Sequence, residues 1–177
     1  MTRLGWTNGD RRRWTAIAVA LVTTTVGASS NGPQRTVSAR HGHDVHTLAR
    51  RYFEEVWNQG RLEILDELLS PAYINHTPSA GNPPPGPDGL KPIVAAMRRA
   101  FPDLHFAIED VIAGRDTVVI RTTMTGTHDG ELFGIPPTHH KVRVMQIQIE
   151  RVKNGRIVEH WRVTDELTLM RQLGVVP

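Results

Sequence analysis

Asp165 is the carboxylate whose neighbours best suit it for chemistry. It follows Trp161 by four residues in an extended segment, so strand alternation puts Trp161, Val163 and Asp165 on one face. There the indole and Val163 could shield the acid from water, which penalises the charged form, raises the pKa and makes a usable general acid/base. The same residue also reads as an N-cap, since Asp is a favoured cap and Glu166-Leu167 begins a helical pattern. Spacing leaves both readings open. His76, with Tyr73 before it on the same extended segment, lies just ahead of a proline-rich loop, at an expected pocket mouth. It would donate to a substrate carbonyl or serve as a second acid. Gln146 and Gln148 share one face of a long strand, opposite Ile147 and Ile149; that face either points two neutral amide donors into the cavity or meets solvent. Arg121 shares a polar face with Thr123 and Thr125 and would orient a carboxylate or ester. His128, in Gly126-Thr127-His128-Asp129-Gly130, reads as a structural loop residue.

Composition narrows the alternatives. The 177 residues contain no cysteine, which removes disulfides, thiolate metal sites and cysteine nucleophiles from consideration. The net charge of +3 sits in the wrong place for nucleic acid. Residues 1–40 carry six basic residues against one acid, whereas residues 41–177 carry 15 against 17. The histidine groups His41-x-His43-x-x-His46 and His139-His140 have no matching carboxylates, so no metal is expected. No glycine-rich phosphate loop and no Gly-x-Ser-x-Gly nucleophile motif is present.

The elements that must position these groups are legible as periodicity. Val45, Leu48, Ala49, Tyr52, Phe53, Val56 and Trp57 recur at spacings of three and four, predicting a helix capped by Asp44 and stopped at Asn58-Gln59-Gly60. A short helix is expected over Leu62 to Leu69, an extended segment at Tyr73 to His76, and a proline-rich loop over 77–89. Asp88 would cap a third helix running to about Ala100. Alternation then predicts strands from Leu104, over Thr117 to Thr127, from about Lys141 to Val152 and over Arg156 to Thr164. Asn154-Gly155 marks a tight primed hairpin turn. A last helix runs from Glu166 to Leu173. The order implies an α+β domain over 44–177, in which a curved, mainly antiparallel sheet wraps around the N-terminal helices and leaves a pocket.

Ahead of it, Arg11-Arg12-Arg13 followed by the apolar run Thr15 to Ala28 reads as a signal peptide over 1–28, with 29–43 a disordered linker. The run is shorter than the roughly 20 residues of a membrane span. The expectation is export to the periplasm or beyond, without stable membrane insertion after cleavage. Two alternatives stand beside export: a start placed too far upstream, which would leave the protein cytoplasmic, and an uncleaved anchor.

The chain from about His46 to Pro177 resembles the SnoaL-like polyketide cyclases, or ester cyclases, of the cone-shaped α+β barrel superfamily that includes ketosteroid isomerase and nuclear transport factor. The resemblance is carried by Glu54-Glu55-Val56-Trp57-Asn58-Gln59-Gly60, Tyr73-Ile74-Asn75-His76-Thr77-Pro78, Phe101-Pro102-Asp103, Phe133-Gly134-Ile135-Pro136-Pro137 and Gly155-Arg156-Ile157-Val158-Glu159-His160-Trp161. It implies a cofactor-independent intramolecular aldol condensation on a small carbonyl or ester substrate, with Asp165 as the acid/base, and a homodimer. Tyr73 and Trp161 would then contact substrate with Gln146, Gln148 and Arg121. Two other functions fit such a domain: hydrolysis of an epoxide or lactone, which needs a second acid such as Glu159, and non-catalytic binding of a small molecule after export.

Overall fold

A computed structural model describes residues 45–79 and 81–177. The expected signal segment, linker and Asp44 cap therefore lie outside the described residues. Helix α1 covers 45–51 and continues as a π-helical stretch, Tyr52–Asn58. The apolar positions read from its period, Val45 through Trp57, are all buried. Gly60 ends it at φ 75°, and the Arg98 guanidinium closes the end by donating to the Trp57 and Asn58 carbonyls at 2.8 and 2.6 Å.

The expected second helix is a 3-10 turn, Leu62–Ile64, followed by α2, Leu65–Leu68. Leu69 already belongs to β1, Leu69–Asn75, an edge strand that tolerates Pro71. Helix α3, Pro87–Ala100, begins one residue before Asp88. Its N-cap is Gly86, and Asp88 bonds Lys91 instead of capping. Strands β2 (His105–Ala113), β3 (Thr117–Thr127), β4 (Lys141–Lys153) and β5 (Arg156–Thr164) follow, then α4, Glu166–Gln172. Asn154 and Gly155 both take positive φ, as the primed turn requires.

The five strands form one open sheet in the order β1-β5-β4-β3-β2, antiparallel except for the parallel β1/β5 pair. A bulge between Arg151 and Val152 shifts the β4/β5 register by one residue. Lys153 pairs with Arg156 and Val152 with Ile157, but Arg151 pairs with Glu159 and Glu150 with His160. Beyond the bulge, every β5 side chain points to the face opposite the one that simple hairpin counting gives.

Two sequence signatures are structural. Asp103 accepts the Thr127 amide and hydroxyl at 2.6 and 2.8 Å. Gly130 donates to the Ala100 carbonyl, and a Cβ there would collide with the Arg99 carbonyl oxygen. His128 is fully buried, packs on Phe101, and accepts the Thr138 amide at Nδ1. This is the structural role expected of it.

Candidate active site

The inner face of the sheet carries a block of polar residues where a core would otherwise be apolar. Across β4 and β5, Glu150 lies opposite His160, Gln148 opposite Arg162 and Gln146 opposite Thr164. Asn75 of β1 extends the first row, and Thr122 of β3 extends the third. Glu150, His160, Gln146, Gln148 and Thr122 are all buried.

Linked cavities run along this stripe. The innermost, about 20 Å3, is walled by Tyr52, Trp57, Asn75, Phe106, Gln148 and His160. The next, about 130 Å3, adds Met97, Met124, Leu132, Leu169, Thr164 and Glu166. Ser79, Gln146 and Arg162 belong to both walls. A third, about 190 Å3, shares Ser79, Met97, Leu132 and Phe133 with the second and forms the outer part of the cleft.

The chemistry is concentrated at the inner end. His160 Nδ1 lies 2.8 Å from Glu150 Oε1, and Glu150 is 1% exposed. Burial pushes the Glu150 carboxyl above the usual range, while the His160 ring opposes that rise. With Nδ1 held by the carboxylate, Nε2 is the ring nitrogen left to serve the cavity that His160 lines. Gln148 Nε2 donates to Gln146 Oε1 at 3.1 Å, which turns the Gln146 amide so that its NH2 meets only the Met124 sulfur, at 4.0 Å. That NH2 is a donor with capacity to spare. Burial keeps the Tyr73 hydroxyl protonated by raising its pKa, and no described residue partners its oxygen. Thr122 Oγ1, Gln148 Oε1, Glu150 Oε2 and Thr164 Oγ1 are likewise buried without a protein partner. Buried polar atoms are normally satisfied, so four of these in adjacent inner rows of the sheet, on Thr122, Gln148, Glu150 and Thr164, mark a place built for polar company.

The expected site residues divide between the two faces. Gln146 and Gln148 are buried and line the cleft, and Tyr73 is buried without lining it. Asp165 does not. It is exposed and caps α4, its Oδ1 accepting the Thr168 amide at 3.1 Å, and hydrogen bonding by Thr168 lowers its pKa. A solvated carboxylate held in its charged form is the reverse of the raised-pKa base that burial would make. Trp161 and His76 also lie outside the cavity. Their rings stack at 4.5 Å on the outer side of the sheet, and His76 Nε2 meets Glu159 at 3.3 Å, which takes that second acid away from the interior as well. Arg121 pairs on the outer face with Asp110 at 2.6 Å. The causes differ: Trp161 and Glu159 sit on the outer row of β5, Arg121 on the outer row of β3, and Asp165 beyond β5 as the cap of α4.

The functional candidates that sequence reasoning missed are His160, Arg162, Glu150, Asn75 and Tyr52. Glu150 continues the Gln146, Gln148 alternation, which was the available signal. Among the described residues, no group of three acidic or histidine side chains is disposed to hold a metal ion.

A profile of the SnoaL-like polyketide cyclase family matches residues 47–173. The nogalonic acid methyl ester cyclase of Streptomyces nogalater is 29% identical over 119 residues, covering 67% of this chain and 89% of that one. The aklanonic acid methyl ester cyclase DauD of Streptomyces sp. strain C5 is 29% identical over 134 residues, covering 72% and 80%. Among solved structures, TsrD from Streptomyces laurentii superposes with a TM-score of 0.70 at 28% identity, over 76% of this chain and 97% of that one. IdmH from Streptomyces antibioticus gives 0.63 at 36% identity, over 75% and 99%.

Proposed function

This chain belongs to the SnoaL-like polyketide cyclase family, and we propose that it closes a ring on a small polyketide-type carbonyl substrate held in the inner cleft, by cofactor-independent aldol chemistry. One observation carries the reading: a buried Glu150–His160 pair at the end of a cleft that also presents the Gln146 and Gln148 amides and an apolar wall of Met97, Met124, Leu132 and Leu169.

Ring closure begins when a proton leaves a carbon flanked by carbonyls. His160 Nε2 takes that proton, with Glu150 orienting the ring through Nδ1 and stabilising the imidazolium that forms. The enolate oxygen needs a hydrogen-bond donor, which the Gln146 amide supplies. The enolate carbon then attacks a second carbonyl of the same molecule, and the imidazolium returns its proton to the new alkoxide. The proton ledger closes within the site. Met97, Met124, Leu132 and Leu169 exclude water from the reacting carbons.

The support is chemical rather than positional for Asp165. As a solvated cap held in its charged form it is a weak base, so the acid/base role moves to His160. The aldol assignment is tested by following exchange of the acidic carbon-bound protons of β-dicarbonyl esters into deuterated water. Wild type should exchange, His160→Gln should lose about 100-fold, the usual scale for a general base, and Asp165→Asn should stay within about twofold. No exchange by wild type, or loss with Asp165→Asn and not with His160→Gln, overturns the reading. Non-catalytic small-molecule binding is the second reading, favoured by the outward Asp165, and absence of exchange by wild type is its signature.

We also propose a homodimer formed through the outer sheet face. Met145, Ile147 and Ile149 of β4 and Val163 of β5 project there, and Val163 is 74% exposed. Ile147 and Val163 are register partners, so the apolar surface is continuous, and a second copy would cover it with the same residues.

A further inference from the structure

Arg162 is the other charged group on the inner stripe, and its environment is unusual. It is partly buried in β5, between the innermost and middle cavities, and walls both. Its Nη2 donates to Ser79 Oγ at 2.6 Å, and its backbone amide donates to Thr77 Oγ1 at 2.7 Å. Neither partner is an anion. Among the described residues no carboxylate comes within ion-pair distance of the guanidinium. Two acids are near without pairing: Glu166, an exposed residue on the middle cavity, and Glu150, whose Oε1 is taken by His160. The guanidiniums that do pair with carboxylates among the described residues, those of Arg51, Arg61, Arg121 and Arg151, are all a third or more exposed. A desolvated cation without a counter-ion is costly, and proteins keep one where a ligand supplies the missing charge.

We propose that Arg162, with Ser79 and the Gln146 amide beside it, is a binding site for the free carboxylate of an apolar substrate, and that this chain therefore prefers a carboxylic acid to its methyl ester. The curated relatives are named for methyl ester substrates; the preference assigned here is the opposite. A guanidinium presents two parallel N–H groups that match a carboxylate, whereas a methyl ester offers one carbonyl acceptor and no charge. One cation among neutral donors suits a monoanion. A phosphate dianion would be under-compensated, and the walls of Met97, Met124, Leu132 and Leu169 ask for an apolar body behind the acid group. The proposal rests on the cleft being the ligand site, but it does not require ring closure to occur there.

The test is binding, so that it stays separate from catalysis. The full chain is titrated by calorimetry at neutral pH with 1-naphthoate, with methyl 1-naphthoate and with inorganic phosphate. Wild type should bind the acid at least about tenfold more tightly than the ester, the scale of one charge-assisted pair, and phosphate should not displace it. Arg162→Gln should bring the acid down to the ester's affinity, and Arg162→Lys should restore part of the preference. Equal or tighter binding of the ester, binding of neither, displacement by phosphate, or an unchanged preference in Arg162→Gln overturns the proposal. If Arg162→Gln does not fold, the wild-type acid-to-ester ratio decides alone. Should the ratio hold while wild type catalyses no proton exchange, the aldol reading fails and the carboxylate site stands.

Discussion

Glu150 Oε1 lies 2.8 Å from His160 Nδ1 across the β4–β5 ladder, and the second carboxylate oxygen, Oε2, has no partner among the described residues although the side chain is buried. A pair placed for stability alone would have both oxygens satisfied or would be replaced by apolar residues. This one is held at the end of a cleft, where an unsatisfied charge has chemical use.

The stability consequence can be measured at Glu150. Burial raises its folded-state pKa above the unfolded value, so the folded protein holds the proton more tightly than the unfolded chain. Stability from this group is then greatest below the ordinary glutamate range and is lost as pH rises through the raised folded value. Glu150→Gln keeps an acceptor for His160 Nδ1 and removes the charge. Its Tm should exceed wild type by roughly 3–5 °C at pH 8, about 1 kcal/mol, with the gap closing by pH 4, while proton exchange is lost. A Tm below wild type at pH 8 would show that the pair stabilises the fold.

Asp165 should behave as a cap. Its folded pKa is lowered by the Thr168 hydrogen bonds, so its stabilising contribution is present above the ordinary aspartate range and lost as pH falls through the lowered folded value. Asp165→Ala should lower Tm at pH 7, with the difference from wild type fading in acid, and Asp165→Ser, which retains a capping oxygen, should recover most of it. Thermal melts from pH 2 to 7 check this; a pH-independent difference would remove the cap explanation.

For the outer face, Ile147→Lys and Val163→Lys each put a charge into the centre of the exposed apolar patch. Light scattering at micromolar concentration should show a dimer for wild type and a monomer for both variants, with little change in monomer Tm because neither side chain is in the core. A wild-type monomer, or a dimer that survives both lysines, places the interface elsewhere or removes it.

The helical face of α1, the three long antiparallel strands and the Asn154-Gly155 turn were readable because each rests on local periodicity or turn chemistry. Alternation put Gln146 and Gln148 on one face but did not say whether that face was the inner one. The failure on β5 came from taking the Trp161 and Val163 side of the strand as the inward one. Counting back from the turn pairs Gln148 with Trp161, but the bulge at Arg151/Val152 adds one residue to β5 and pairs Gln148 with Arg162. Hydrophobicity reinforced the error, since Trp161 and Val163 are more apolar than His160 and Arg162 and a strand usually turns its apolar side inward. Here the inner face is the polar site, and the outer face carries the apolar surface. A one-residue bulge leaves no mark on alternation, so nothing local distinguished Asp165 as a cap from Asp165 as a base.

Asn58 links the fold to the shape of the cleft. Its Oδ1 accepts the Phe106 amide at 2.7 Å, and its Nδ2 donates to the Phe106 carbonyl and to Glu54 Oε2, each at 3.1 Å. The side-chain amide thus pairs with the edge strand β2 as a neighbouring strand would, fixing α1 against it. The two aromatic rings that depend on this contact, Trp57 and Phe106, sit 5.4 Å apart and wall the innermost cavity. Asn58→Ala would leave a buried residue's amide and carbonyl unpaired, at a cost of about 1–3 kcal/mol, and would release both rings. Hydrogen exchange should show the Phe106 amide losing protection while central β4 amides keep theirs relative to global stability. Affinity for a cleft ligand such as 1-naphthoate should fall several-fold. Retained protection at Phe106 would mean that α1 is held against β2 by its apolar packing alone.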